Sequence, residues 1–167
     1  RINISLAFPN GLRGDLLTCD DLLLLKKAGA YMITLAIETS SGERQKRIKK
    51  HLDIKKVVGN FEYAYKLGLI TKGFFMIGFP DESVREIKNT IKLAINTKLD
   101  MAAFHVVVPF ENTFLYNDII HDFKYLSTDA YSNYFSEKSL YELLSIYKIR
   151  TIPTLGDTRF SNPTRLP

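Results

Sequence analysis

The chain has 167 residues, of which 46% are hydrophobic, and a formal net charge of +5. This length supports one domain with a real core, and no stretch approaches the roughly 20 apolar residues of a membrane-spanning helix, so we expect a cytoplasmic protein without a membrane partner. The positive charge lies mainly in lysine-rich helix patterns, which disfavours nucleic acid as a partner, and the single cysteine, Cys19, excludes an internal disulfide and a metal site made only of this chain's cysteines.

The first predicted element is a short strand over residues 2–9, where apolar and polar side chains alternate. A turn at Asn10 and Gly11 should end it, and we expect it at the edge of a sheet. A leucine-rich helix then begins near Thr18, which can form a capping interaction with Asp21.

The next part of the chain repeats one plan three times: a helix ends, an apolar strand follows, and the strand closes on a polar segment with an acid. Gly29 and Gly68 are natural left-handed terminators of the first two helices. Other helix starts are marked by Asp53 and by a capping box of Ser83 with Glu86. The predicted strands are residues 31–37, a run through Phe74 to Gly78, and a run that ends before Pro109.

Beyond the third of these strands the pattern changes. Short helices are predicted over residues 113–120 and 137–149, and residues 152–167, which contain three prolines, should form an extended, poorly ordered tail. We therefore divide the chain into residues 1–120, which carry the main strands and helices, and residues 121–167, a carboxyl-terminal helical extension and tail.

Strands that alternate with helices of this length predict an α/β fold with right-handed crossovers and a parallel sheet. Four strands cannot close a barrel by themselves. They would form an open sheet, or a parallel-stranded fragment of a TIM-like (β/α) partial barrel whose other strands lie outside this chain. The open sheet edge offers a surface for self-association.

Polar side chains should meet at the carboxyl-terminal edge of this sheet, where ligands collect in parallel α/β folds. Taken singly, each acid is more often a solvated turn residue or a helix cap, and Asp81 in particular stands just before a helix. Their repetition at one edge favours a binding site. The residues concerned are Asn10, Glu38, Asp81, Glu82 and Glu111.

Small residues near the same edge add to this expectation. Gly78 allows close backbone approach, and residues 39–42 offer hydroxyls and amides that can hold an anionic group at a helix start. His105 lies in an apolar strand and is interpreted as a hydrogen-bonded core histidine, whereas Lys50 is interpreted as a solvated charge.

Several motifs follow one another in a fixed order. They are Arg13 with Asp15, a leucine-rich helix ending at Gly29, Ala36-Ile37-Glu38-Thr39-Ser40-Ser41-Gly42, Gly73-Phe74-Phe75-Met76-Ile77-Gly78-Phe79-Pro80-Asp81-Glu82-Ser83, and Pro109-Phe110-Glu111-Asn112-Thr113-Phe114-Leu115-Tyr116. In this order they resemble the later part of the barrel in the radical S-adenosylmethionine (radical SAM) superfamily, particularly its cobalamin-associated and methylthiotransferase-like branch. Asp81 stands where that branch usually has glycine.

The resemblance implies a partial barrel in which S-adenosylmethionine lies across the strand ends. The implied binding residues are Glu38, Thr39, Ser40 and Ser41 toward its methionine or ribose part, Met76, Ile77 and Gly78 near the adenine, and Glu82 in the following loop.

In this family a four-iron four-sulfur cluster cleaves S-adenosylmethionine reductively to a 5′-deoxyadenosyl radical, which abstracts a hydrogen atom from the substrate. The resemblance implies that the cluster is held by three cysteines, and Cys19 cannot replace them. We therefore favour a piece of a longer iron-sulfur oxidoreductase, with the cluster motif and in some relatives a cobalamin domain upstream, over a relative that has lost the cluster. Its other partner would be a small-molecule substrate.

Two other functions also fit the residues. A non-catalytic α/β module would bind a nucleoside or small metabolite at the same edge. A metal-assisted barrel enzyme would hold magnesium through Glu38, Glu82 and Glu111, provided that these carboxylates converge.

Overall fold

The structure is a computed structural model that describes residues 4–79, 81–107, 151–154 and 157–161. Its elements are β1 (Leu6–Leu12), α1 (Cys19–Lys27), β2 (Ala30–Glu38), α2 (Gly42–Arg47), α3 (Ile54–Lys66), β3 (Ile70–Ile77), α4 (Val84–Asn96), β4 (Met101–Val106), β5 (Thr151–Thr154) and β6 (Asp157–Ser161). The helices predicted over residues 113–120 and 137–149, the boundary at residue 120, and Glu111 lie outside the described residues.

Short polar side chains begin the helices, as the sequence predicts. Thr18 and Asp21 form a capping box at α1, Ser83 and Glu86 form one at α4, and Asp53 caps α3. Each cap gives an acceptor to an N–H group that the first helical turn leaves without an intrahelical partner. Among the described residues, no helix has the length and apolar character needed to cross a membrane.

Two glycines turn the chain from a helix into the following strand. Gly29 follows α1 with φ 102° and Gly68 follows α3 with φ 71°, so both adopt backbone conformations that side chains with a Cβ disfavour. The predicted terminator roles are confirmed at both positions.

The described strands form one sheet in the order β1-β2-β3-β4-β6-β5. Strands β1 to β4 run parallel to one another, and helices alternate with them along the chain. β1 lies at an edge, as expected. The predicted α/β class with four parallel strands is therefore confirmed.

The carboxyl end of β1 differs from its prediction. The strand continues through Asn10 and Gly11 to Leu12 instead of turning, and its pairing with β2 shifts register between Phe8 and Leu12. A Cβ at Gly11 would stand 2.9 Å from the Cβ of Ala36, so the bare glycine lets β1 pass close to β2. Asn10 consequently lies within the strand and not beyond the sheet edge.

Strands β5 and β6 correct the expectation of a poorly ordered tail. β6 pairs antiparallel with β4, from Met101 opposite Ser161 to Phe104 opposite Thr158, and β5 pairs antiparallel with β6. Pro153 is compatible with this arrangement because β5 is an edge strand, where a missing N–H group need not break a ladder. The edge of β4 that the sequence left open is covered, so self-association through an open edge stays a prediction that concerns β1 and β5.

The two faces of the parallel sheet have different surroundings. Helices α1, α3 and α4 cover one face, and the core lies between these helices and strand residues such as Ile33, Leu35 and Phe75. On the opposite face, the register places alternate residues of β2, β3 and β4 side by side. We call this set the inner face: Thr34, Ala36, Lys72, Phe74, Met76, Met101, Ala103 and His105.

Candidate functional site

The carboxyl end of β2 carries an ion pair. Glu38 is the last residue of the strand, and its Oε1 lies 2.7 Å from the Nζ of Lys50. The Glu38 side chain is 13% exposed and that of Lys50 36%. The interpretation of Lys50 as a merely solvated charge is therefore wrong, because the chain folds back after α2 and brings this lysine to the strand end.

Gln45 holds both partners of this ion pair in place. Its buried Nε2 donates to the carbonyl oxygens of Ile37 and Thr39, the residues on either side of Glu38, at 2.5 and 3.0 Å. The N–H groups of Lys50 and His51 donate in turn to the backbone carbonyl oxygen of Gln45.

The backbone here is strained. Among the described residues, those other than glycine with positive φ are Glu38 at 69°, Lys49 at 56° and His51 at 48°. Such conformations cost free energy and persist where surrounding contacts enforce them, often at functional sites. The left-handed turn at Glu38 is thus fixed by neighbouring hydrogen bonds.

The hydroxyls after Glu38 link the strand end to two helices. Thr39 is fully buried, with its Oγ1 3.4 Å from the Oγ1 of Thr90 on α4. Ser40 donates through its N–H to the same Thr90 oxygen at 3.2 Å, and Ser41 caps α2. All three residues lie at the carboxyl edge of the sheet, as predicted, and their contact with a ligand stays a prediction.

The end of β3 is closed by Glu82. Met76 is half-buried on the inner face, Ile77 is buried in the core, and Gly78 has φ 82°. The Oε2 of Glu82 accepts hydrogen bonds from the N–H groups of Gly78 at 2.6 Å and Phe79 at 3.2 Å. Glu82 therefore shapes the loop that follows the strand.

The second oxygen of Glu82 leaves the carboxylate incompletely satisfied. Its Oε1 is buried and has no hydrogen-bond partner among the described residues. Burial raises the pKa of Glu82, although the two backbone hydrogen bonds and Arg44 act to lower it.

A pH-dependent stability difference follows from this raised pKa. The folded state holds the Glu82 proton more tightly than the unfolded state does, so the stability contributed by protonation is present at low pH and is lost as pH rises above the ordinary carboxyl range. Glu82→Gln keeps an acceptor for both N–H groups and cannot ionise. We expect the free energy of unfolding of this variant, relative to the natural protein, to increase between about pH 4 and about pH 7 in urea denaturation. A decrease with pH would contradict the prediction.

Arg44 connects the β3–α4 loop to α2. Its side chain is only 5% exposed, and its Nη1 donates to the Oδ1 of Asp81 at 2.8 Å while its Nη2 lies 3.3 Å from the Oε1 of Glu86. The guanidinium carbon lies 5.0 Å from the centre of the Phe79 ring. Arg47 contacts the other carboxylate oxygen of Asp81 from the solvent side.

Asp81 therefore has a role that its sequence position does not reveal. Ser83, and not Asp81, caps α4. Burial acts to raise the pKa of Asp81, but the hydrogen bond and charge of Arg44 outweigh it and hold that pKa below its usual value. Sequence reasoning did not single out Arg44 because one arginine in a basic helix looks like its solvated neighbours.

The described carboxylates do not gather into a metal site. Glu38 is paired with Lys50, and Glu82 accepts from its own loop. No group of three or more potential ligands occurs within the part of the chain that the structure describes. Cys19 is exposed at the start of α1.

His105 lies on β4, half-buried, with its ring edge-to-face against Phe74 at a centroid distance of 5.2 Å. It therefore belongs to the inner face and not to the core beneath the helices. The same Phe74 ring also lies under the Nζ of Lys72, 4.7 Å from the ring centre.

The chain is similar in sequence to known proteins. A sequence profile described as the radical SAM superfamily matches residues 8–94. An uncharacterized methyltransferase of Pyrococcus horikoshii is 33% identical over 92 residues, which are 55% of this chain and 20% of that protein. The cytidylyl-2-hydroxyethylphosphonate methyltransferase of Streptomyces wedmorensis is 28% identical over 141 residues, which are 80% of this chain and 25% of that protein. The chain thus spans a quarter or less of the length of these relatives.

Among solved structures, coproporphyrinogen III oxidase from Escherichia coli, a radical SAM enzyme, matches with a TM-score of 0.72 at 15% identity. The match covers 98% of this chain and 36% of that protein. At this identity the likeness concerns the fold, which is a fragment of a TIM-like partial barrel. The sequence match over more than half of the chain carries the family assignment, and the chain belongs to the radical SAM superfamily.

Proposed function

We propose that this chain is the S-adenosylmethionine side of a radical SAM catalytic domain, with the cluster-binding cysteines outside it. The observation that carries the proposal is the ion pair of Glu38 with Lys50 at the carboxyl end of β2. The methionine part of S-adenosylmethionine carries an ammonium and a carboxylate on one carbon atom. An adjacent anion and cation on the protein complement both groups.

The residues present fit this ligand. Glu38 would bind the ammonium and Lys50 the carboxylate, while Ser40 and Ser41 offer half-buried hydroxyls beside them. Met76 on the inner face and the backbone at Gly78 would form the wall beside the adenine. When bound, S-adenosylmethionine supplies the adenosyl group on which the radical chemistry of the superfamily depends.

The residues present do not fit a four-iron four-sulfur cluster. Such a cluster takes several thiolates, and the chain has one cysteine, exposed at the start of α1. The chain's own residues therefore bind and orient S-adenosylmethionine, and the reducing part of the site must come from elsewhere in the protein.

The names of the relatives favour a reaction class. Two partial relatives are named methyltransferases, so we propose methyl transfer to a small molecule as the activity of the whole protein. A cobalamin domain and a cytoplasmic location stay predictions.

Calorimetry with S-adenosylmethionine tests the proposed site, using the protein expressed with its natural flanking sequence. Glu38→Gln is expected to weaken binding by about tenfold, because it removes the charge that pairs with the ammonium. The control is Glu62→Gln, an exposed position on α3 that changes the net charge equally and should leave the affinity unchanged.

Two results would overturn the proposal. One is equal affinity for S-adenosylmethionine in the Glu38→Gln and Glu62→Gln proteins while both remain folded. The other is tighter binding of adenosine than of S-adenosylmethionine, which would favour a nucleoside-binding module that does not read the amino acid part.

A further inference from the structure

Lys72 is a half-buried cation without a carboxylate partner among the described residues. It projects from the middle of β3 on the inner face, and its Nζ lies over the ring of Phe74, 4.7 Å from the ring centre. The ring is a weak partner for an ammonium compared with an anion that forms a charge-assisted hydrogen bond. The described residues thus hold the charge in place but do not neutralise it.

A second polar group on the same face, the Thr34 hydroxyl, also lacks a partner within the described part of the chain. Thr34 is fully buried, and its Oγ1 has no hydrogen-bond partner among the described residues. The register sets Thr34 directly beside Lys72 on the neighbouring strand. Buried hydroxyls are normally hydrogen-bonded, so an unpaired one on the strand next to Lys72 points to a group that the described residues do not supply.

An aromatic ring lies close to the Lys72 ammonium, and an imidazole lies beside that ring. Small side chains, Ala36 and Ala103, flank Phe74 on both neighbouring strands, and Phe74 itself is half-buried. His105 contacts the edge of the same ring at a centroid distance of 5.2 Å. An aromatic floor with a cation above it and an imidazole beside it suits a small anionic molecule with a flat or apolar part.

We propose that Lys72, Phe74 and His105 form a subsite for the anionic group of the substrate, a phosphoryl group or a carboxylate. Lys72 would bind the anion, with Phe74 beneath it, while Glu38 and Lys50 hold S-adenosylmethionine at the strand ends. This inference rests on the proposed function for the identity of the ligand as substrate, but the anion subsite can be tested independently.

Methionine methyl NMR reports on this face directly. All three methionines of the chain lie on strands of the sheet, and two of them flank the proposed subsite: Met101 lies beside Lys72, and Met76 lies beside His105. The probes are phenylphosphonate and benzoate, with benzyl alcohol as the uncharged counterpart. At least one anion is expected to shift the Met76 and Met101 methyl signals saturably and to bind about tenfold more tightly than benzyl alcohol.

Lys72→Gln is expected to weaken binding of that anion by about tenfold, whereas Lys92→Gln, an exposed lysine on α4, should have no effect. Tighter binding of phenylphosphonate assigns a phosphoryl group, and tighter binding of benzoate assigns a carboxylate. Equal binding of benzyl alcohol to the natural protein, or equal anion binding by the two variants, would overturn the subsite.

The affinity for S-adenosylmethionine separates this inference from the proposed function. Lys72→Gln should leave it unchanged, since Glu38 and Lys50 are intact. If S-adenosylmethionine does not bind while an anion still binds through Lys72, the proposed function fails and the subsite stands. If S-adenosylmethionine binds through Glu38 and neither anion does, the subsite fails alone.

Discussion

Replacing Gly29 with alanine is expected to lower the free energy of unfolding by about 3 kcal/mol, because two penalties combine. The backbone φ of 102° disfavours any residue with a Cβ. The added Cβ would also stand 2.3 Å from the carbonyl oxygen of Ile4, which cannot rotate away as a side chain could. Relief requires moving the start of β1, where the N–H of Leu6 donates to the Gly29 carbonyl oxygen. Urea denaturation measures the loss.

Gly68 provides a matched control for this prediction. It also ends a helix before a strand and has φ 71°, but an added Cβ would meet only the Nζ of Lys26, at 3.9 Å. Gly68→Ala should therefore cost only the conformational penalty, about 1 kcal/mol. Equal losses in the free energy of unfolding at the two glycines would show that the close contact with the Ile4 carbonyl oxygen adds no cost at Gly29.

Arg44→Met is expected to destabilise the fold by about 2 kcal/mol. Removing one partner of a fully buried ion pair costs about 3–5 kcal/mol, but here Asp81 is 52% exposed and Glu86 29%, so water can solvate part of the charge left behind. Methionine retains an apolar stem against Phe79, which confines the change mainly to the lost charge and hydrogen bonds. The free energy of unfolding, measured in urea near neutral pH, tests the value.

A variant at the exposed neighbour Arg47 shows how much of the effect at Arg44 comes from its buried position and how much from its charge alone. Arg47→Met also removes a positive charge that pairs with Asp81, but the Arg47 side chain is 41% exposed. Its loss should stay below about 1 kcal/mol, as for other exposed ion pairs. If both variants lose the same stability, the buried position of Arg44 contributes nothing and the loop is held by other contacts.

Local signals in the sequence predicted the framework well. Thr18 with Asp21, Asp53, and Ser83 with Glu86 begin their helices as expected, since a cap depends on side chains within one turn of each other. Two glycines end α1 and α3 for an equally local reason. Apolar runs between these signals predicted β2 and β3, and hence the edge where the candidate site lies.

Contacts between segments that are far apart in the sequence were not predicted. Nothing local distinguishes Lys50 from the neighbouring lysines of the sequence. It pairs with Glu38 only because the backbone after α2 turns back and bonds to the carbonyl oxygen of Gln45. Arg44 was missed because its partners, Asp81 and Glu86, come more than thirty residues later. The pairing of β6 with β4 was missed for the same reason, and the prolines of that segment favoured a tail.

That antiparallel pairing also orders events during synthesis. Each parallel strand can join its neighbour as soon as the intervening helix has emerged, because β1 to β4 follow one another along the chain and in the sheet. The N–H and C=O groups on the far side of β4 must wait for β6, since Met101 pairs with Ser161. Until then the nascent chain presents an unpaired strand edge, the kind of surface on which chaperones act and misassembly begins. Truncation before Asp157 would make this transient aggregation hazard permanent.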